Sequence, residues 1–430
     1  MNDTQSMLVN LSFFGSYGIG AFVYFLFSHL KGDPINKMGY KNGIIAGLIT
    51  SGLACLLFYP LAELNNYYIM LVPLFILGLG FTLLQISCNP YVAILGSEET
   101  ASSRLNLSQG FNSLGTTIGP MLIGFIILSY FEGKAAIQIP YMFLGLFFLA
   151  WALFLFFIKI PDYKQEESPK LEGNALRFGH VRFGMFAIFA YVGAEVAIGS
   201  KLIEYVQLPE IASIKEHIAP SFVGTYWGGM MIGRLTISVV SSAKYKLSDK
   251  IIYGLLTALG TFLLLIIAVT ISNRLSTKGF GLSLAEIEAT FHMIWPLLPF
   301  MFLQFLLMIL FRDSSRKALT SFSVVVVILL IVAYATQGTT ALWCIIAIGL
   351  FNSIMWSNIF TLSIEGLKEY TSQASSLLII MIVGGAVIPL IMGWISDATD
   401  LITAYLIPII SYLYIAFFGI FGTKKQNPTL

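Results

Sequence analysis

The chain has 430 residues, 57% of them hydrophobic and 11% charged, with a net charge of +2 and a mean hydropathy of +0.84. Soluble domains carry about 25% charged residues, so this chain cannot clothe a water-facing surface of ordinary size. The net charge is too small, and its positive residues too dispersed, to suggest a nucleic-acid partner. Cys55, Cys88 and Cys344 lie in three separate apolar runs, as small core residues do, so neither a disulfide scaffold nor a metal site is expected.

The apolar residues come in runs of roughly 20, the length that crosses a bilayer as helix. Lipid offers the backbone no hydrogen-bond partners, so these runs are helices rather than open sheet. They lack the alternation of barrel strands. In chain order, five spans are predicted at residues 7–30, 43–62, 68–95, 107–131 and 140–160. A hydrophilic stretch, PDYKQEESPKLEGNALRFGH, follows at 161–180. Eight more spans are predicted at 183–208, 221–241, 251–271, 293–311, 321–336, 341–362, 375–396 and 401–422. The expected organisation is an N-terminal helical bundle over 1–160, a cytoplasmic central loop over 161–182 and a C-terminal bundle over 183–430. The start, MNDTQS, is short and polar without a basic residue, unlike a cleavable signal peptide.

Basic residues set the orientation. If the loop at 31–41 is cytoplasmic, eighteen of the 24 Lys and Arg fall on that side, including the pair Lys424 and Lys425. Lys134, Lys215, Arg274 and Lys278 fall on the other, while Lys201 and Arg234 lie within spans. An odd number of spans then places the C-terminus in the cytoplasm and the N-terminus outside.

A weak internal echo supports two halves. SEETASSRLNLSQGFNSLG at 97–115 and EGLKEYTSQASSLLIIMIVGG at 365–385 each run from a cytoplasmic loop into a helix that begins polar and turns glycine-rich. Transporters built from repeated bundles bind their substrate near the midplane between the repeats.

A neutral polar solute needs hydrogen-bond partners on inward helix faces. Amides suit such a solute because each both donates and accepts. Gln85 and Asn89 are four apart and share a face. Asn106, Gln109 and Asn112 follow at intervals of three on the next span, a slowly rotating stripe. Membrane amides also bond neighbouring helices, so each residue has two open roles. Pro90, directly after Asn89, is read as a packing kink.

Glu195 lies mid-span, where a carboxylate is expensive and marks either an ion site or a partnered bundle contact. Lys201, six residues on, lies about 240° round the helix and is expected to snorkel outward. Arg234 is read as the anchor of a closed-state contact. Trp356, between Asn352 and Asn358, is a candidate either for stacking on a sugar ring or for core packing, and Asn352 is four residues before it. His29, His180, His217 and His292 are scattered, and no HExxH, CxxC, GxSxG or phosphate-loop pattern occurs. Neither an enzyme, a cofactor nor a metal is therefore expected.

LGLGFTLLQISCNPYVAILGSEETASSRLNLSQGFNSLGTTIGP resembles the hallmark of the fucose–galactose–glucose:proton symporter family of the major facilitator superfamily. YVGAEVAIGS, WGGMMIGR and SQASSLLIIMIVGGAVIPLIMGWISD resemble segments of the same family in its second half. The resemblance implies an all-α membrane protein with two helical bundles. It implies a secondary transporter that imports a monosaccharide by alternating access, coupled to a proton or sodium ion. By that analogy Gln109 and Asn112 match sugar-contacting positions. Gln85 stands where fucose permeases carry an acid; the amide resembles the glucose/galactose subgroup. Glu195 is then the cation-coupling candidate, and Gln85, Asn89, Gln109, Asn112, Asn352 and Trp356 are the expected substrate-binding set.

Two further departures shape the expectation. The first span resembles the family's second helix, as if the true start lay upstream or the chain were truncated. Two spans at about 251–311 look inserted between the family's eighth and ninth helices, at the bundle edge. The expected protein is a monomeric, multi-pass resident of a bacterial-type cytoplasmic membrane, surrounded by lipid. Alternatives are a transporter of fucose or N-acetylglucosamine, or a non-transporting sugar sensor on the same scaffold.

Overall fold

The computed structural model describes residues 3–31, 34–96, 101–129, 131, 133–161, 175–242, 245–276, 282–367 and 370–423. Among these, every regular element is a helix. That is what backbone in lipid requires, since helical bonds satisfy it within each segment. The first half runs α1 Asp3–Lys31, α2 Pro34–Met38, α3 Tyr40–Ala62, α4 Leu71–Ile94, α5 Ala101–Ser129 and α6 Ala135–Phe157. The second begins α7 Gly179–Gln207, α8 Ala219–Val240, α9 Leu247–Ser276, α10 Leu284–Ile294, α11 Leu297–Leu310 and α12 Ser315–Ala335. It ends α13 Gly338–Asn352, α14 Met355–Ile364, α15 Thr371–Ile380, α16 Gly384–Ala398, α17 Leu401–Ala404 and α18 Ile407–Phe417. Most of the predicted central loop, the start of the 97–115 echo and the Lys424–Lys425 pair lie outside the described residues.

Among the described residues, ten helical stretches are long and apolar enough to cross a membrane, or eleven with α10 and α11 counted as one bent span. The protein is an integral, multi-pass membrane protein. Helices α5 and α8, 29 and 22 residues long, stand outside those ten; together with the bent pair they bring the described helical stretches to the predicted thirteen. Four predicted spans are broken. The α10–α11 pair bends by 63° at Trp295–Pro296, where proline removes a backbone donor and crowds the preceding turn. A 3-10 turn at Met381–Val383 separates α15 from α16. Pro408 opens α18 after the short α17. Helix α13 ends at Asn352 and α14 starts at Met355 without any proline between them.

Burial separates central helices from peripheral ones. The apolar window of α7 is 72% buried and that of α13–α14 is 83% buried, against 17% for α6. Accordingly α6 turns Phe143, Phe147, Trp151 and Phe154 outward, as a lipid-facing helix does. Within the first half α3 packs between α4 and α6; within the second, α8 packs on α9 and α13. The halves meet along two long seams, α1 against α16 and α5 against α8.

Close approach inside the second half depends on glycine. A Cβ on Gly349 of α13 would lie 2.0 Å from the Tyr226 carbonyl of α8. Gly349→Ala is therefore expected to push α13 off α8 and to destabilise the protein by about 1–3 kcal/mol. Thermal unfolding in detergent checks this, and an unshifted midpoint would contradict so tight a contact.

The predicted insertion corresponds to α9, α10 and α11, but it is not confined to the bundle edge. Helix α9 packs on α8 and reaches α5. Helix α11 packs against α13 and buries Leu297, Met301, Gln304 and Met308.

Candidate functional site

On α4 the two amides bond each other. Asn89 Nδ2 donates to Gln85 Oε1 at 2.5 Å, as side chains one turn apart can. Tyr17 of α1 lies beside Gln85, so this polar cluster borders two helices of the first half. Both amides are half-buried. Pro90 lies inside α4 and leaves the Ile86 carbonyl without its usual helical donor.

On α5 the stripe turns as its spacing predicts: Asn106 is buried, Gln109 half-buried and Asn112 exposed. The next residue, Ser113, is fully buried and donates its hydroxyl to the Gln109 carbonyl at 3.0 Å. That hydroxyl also accepts a bond from Arg234 of α8. The Arg234 Nη1 to Ser113 Oγ distance is 2.7 Å, and the same nitrogen stands 3.5 Å from the Gln109 carbonyl.

Arg234 is the hub of the site. It is 6% exposed, and a buried guanidinium needs ionic or hydrogen-bonded partners on every side. Its Nη2 lies 3.8 Å from Glu195 Oε1 and 3.5 Å from the Tyr191 hydroxyl, both on α7. Glu195 is buried as well, so the two charges compensate each other. One side chain thus ties the α5 backbone of the first half to the acidic residue of the second.

The network continues through three tyrosines. Tyr191 donates to the Asn352 carbonyl at 3.2 Å, and Tyr226 donates to the Glu195 carbonyl at 3.2 Å. Asn352 Nδ2 donates to the Tyr226 hydroxyl at 3.1 Å, while Tyr412 donates to Asn352 Oδ1 at 2.8 Å. Asn352 is fully buried, with both ends of its amide on protein partners. In this conformation it locks α8, α13 and α18 together.

The structure therefore brings Gln109, Glu195 and Asn352 into one connected network, and holds Gln85 and Asn89 in a second cluster with Tyr17. Trp356 lies across the α13–α14 break from Asn352, so the four-residue spacing does not place them on one continuous face. Its ring stacks on Phe360 at 6.3 Å and 21°. Lys201 does not snorkel outward. It is fully buried, and its Nζ lies 2.8 Å from Glu204 Oε2 and 3.4 Å from Ser6 Oγ of α1. Beside it, Asn10 of α1 donates to Ser200 at 2.9 Å. These contacts tie α1 to α7 six residues beyond Glu195.

Sequence reasoning gave Arg234 an anchoring role but did not name Ser113, Glu195 or the tyrosines as its partners. The available signal was the arginine itself, since a charge within an apolar run needs a named partner. Tyr191 stands four residues before Glu195 on one face of α7, a spacing that was available, whereas Tyr226 and Tyr412 carried no such signal. Among the described residues, no three His, Cys, Asp or Glu side chains group as a metal site.

Comparison with known proteins adds to this geometry. The family model described as "Major Facilitator Superfamily" matches residues 2–381. A protein named glucose/galactose transporter from Brucella abortus is 36% identical over 99% of this chain and 87% of its own length. A putative glucose/galactose transporter from Helicobacter pylori is 31% identical, over 98% of this chain and 89% of its own. An L-fucose-proton symporter from Escherichia coli is 27% identical, over 94% and 84% respectively. Among solved structures, the major facilitator superfamily transporter FucP in its outward conformation aligns with a TM-score of 0.62 at 25% identity, covering 98% of this chain and 90% of that one.

Proposed function

Because this chain belongs to the Major Facilitator Superfamily, we propose that it is a secondary transporter that imports a glucose- or galactose-like hexose by alternating access, together with a proton. The observation that carries this reading is the Arg234 bridge, which joins Gln109 and Ser113 of α5 to Glu195 of α7. An intramembrane carboxylate tied to the seam between two bundles is placed to link its protonation to their movement. The substrate class draws support from relatives named for glucose, galactose and fucose.

In this reading the bundles at 1–160 and 183–430 rock about the seams α1–α16 and α5–α8. Gln85, Asn89, Gln109 and Asn112 offer hydrogen bonds to the sugar hydroxyls from the first half. Trp356 offers a ring face from the second half, and Asn352 orders the wall behind it. Glu195 carries the coupling proton. The protein resides as a monomer in a bacterial-type cytoplasmic membrane with its C-terminus inside, as the asymmetry of Lys and Arg favours.

Purified protein in liposomes tests the reading. Labelled glucose or galactose is expected to accumulate under an inward proton gradient, to leak back when a protonophore is added, and to ignore a sodium gradient. Uptake that only reaches equality under every ion gradient would remove the coupling, absence of any uptake would remove the transport reading, and accumulation under sodium alone would remove the proton.

A further inference from the structure

Helix α11 belongs to the inserted segment, yet it buries a polar side chain at the centre of the second bundle. Its sequence, LLPFMFLQFLLMIL, is otherwise apolar, with Phe302, Leu306 and Leu310 turned outward. Gln304 faces the other way and is 2% exposed. A buried amide is unfavourable unless its hydrogen bonds are made. Gln304 Nε2 donates to the Leu350 carbonyl at 2.5 Å and to the Ser353 hydroxyl at 3.1 Å.

Those two acceptors mark the break between α13 and α14. Helix α13 ends in a tight turn, with the Ser353 N–H reaching the Leu350 carbonyl at 3.3 Å. Gln304 supplies that carbonyl with a second donor, where a helix end otherwise leaves acceptors unsatisfied. Gly233 of α8 meets the same point. A Cβ there would lie 2.2 Å from Ser353 Oγ and 2.4 Å from Gln304 Nε2, so only glycine admits both. The junction adjoins the polar network twice, because Arg234 follows Gly233 and Asn352 precedes Ser353.

We propose that Gln304 is a positioning residue for transport. By capping the end of α13 it fixes the direction in which α14 leaves, and so places Asn352 and Trp356 relative to the substrate. This gives the inserted segment a role in the transport path rather than at its margin. It rests on the reading of α13 and α14 as part of that path.

The test uses the full chain in detergent and in liposomes, with Gln304→Leu to remove the donors at similar volume. Losing two buried hydrogen bonds is expected to raise the KM for glucose or galactose counterflow about tenfold. Amides at 350–358 are expected to exchange with deuterium faster than in the parent. Phe302→Leu, on the outer face of the same helix, is expected to change neither. If Gln304→Leu does not fold, Ser353→Ala removes one acceptor only and is expected to shift both readouts the same way, by about threefold in KM. A folded Gln304→Leu with parental KM and parental exchange at 350–358 would overturn the proposal. A parent protein that counterflows no sugar would instead refute the transport reading, and deuterium exchange would still decide whether Gln304 holds the break.

Discussion

Arg234→Leu is expected to lower stability by about 3–5 kcal/mol, because it strands the buried Glu195 carboxylate without its ionic partner. The same substitution removes the bond to Ser113 that crosses from α8 to α5. Adding Glu195→Gln to Arg234→Leu is expected to recover much of the loss, since no buried charge then stands alone. Arg234→Lys is expected to recover little. A single ammonium cannot reach Ser113 on one side and Glu195 and Tyr191 on the other as the two terminal guanidinium nitrogens do. Thermal unfolding of the four members of the cycle checks this. Additive effects of the two substitutions would contradict a direct pair.

Glu195→Gln alone is expected to uncouple transport without abolishing it. A membrane potential of 100 mV acting on one proton per sugar is worth about 2.3 kcal/mol, or about a 50-fold concentration ratio. An amide does not titrate, so the variant is expected to bring internal and external sugar only to equality. Counterflow, which needs no net proton movement, is expected to persist. The variant also leaves Arg234 with its bonds to Ser113 and Tyr191, so the seam retains a polar anchor. Parental accumulation by Glu195→Gln would place coupling at a different residue.

The helical spans were readable from the sequence because bilayer thickness imposes a length and lipid imposes apolarity. Their breaks were not. Averaged hydropathy stays high across Ser353 and Met381, and the conformation there depends on tertiary partners such as Gln304. Pro296 and Pro408 did carry a local signal for a bend or a new helix start. The amide clusters were readable as spacings, and Asn89 bonds Gln85 as that spacing allows. The spacing argument for Asn352 and Trp356 assumed one continuous helix and does not survive the break between them. Arg234 was visible as a buried-charge problem, but its solution draws on the preceding helix α7 and on α5, which lies across the central loop in the other half of the chain. Lys201 illustrates the same limit: its partners are Glu204 on its own helix and Ser6 near the N-terminus.

Sugar and proton are expected to move together through this chain. The most direct measurement is the internal pH of liposomes that contain the purified protein and an entrapped pH-sensitive dye. With no initial gradient, adding external glucose or galactose is predicted to acidify the lumen in parallel with sugar uptake, and Glu195→Gln is predicted to abolish the acidification. Sugar entry with a flat internal pH would contradict proton-coupled import.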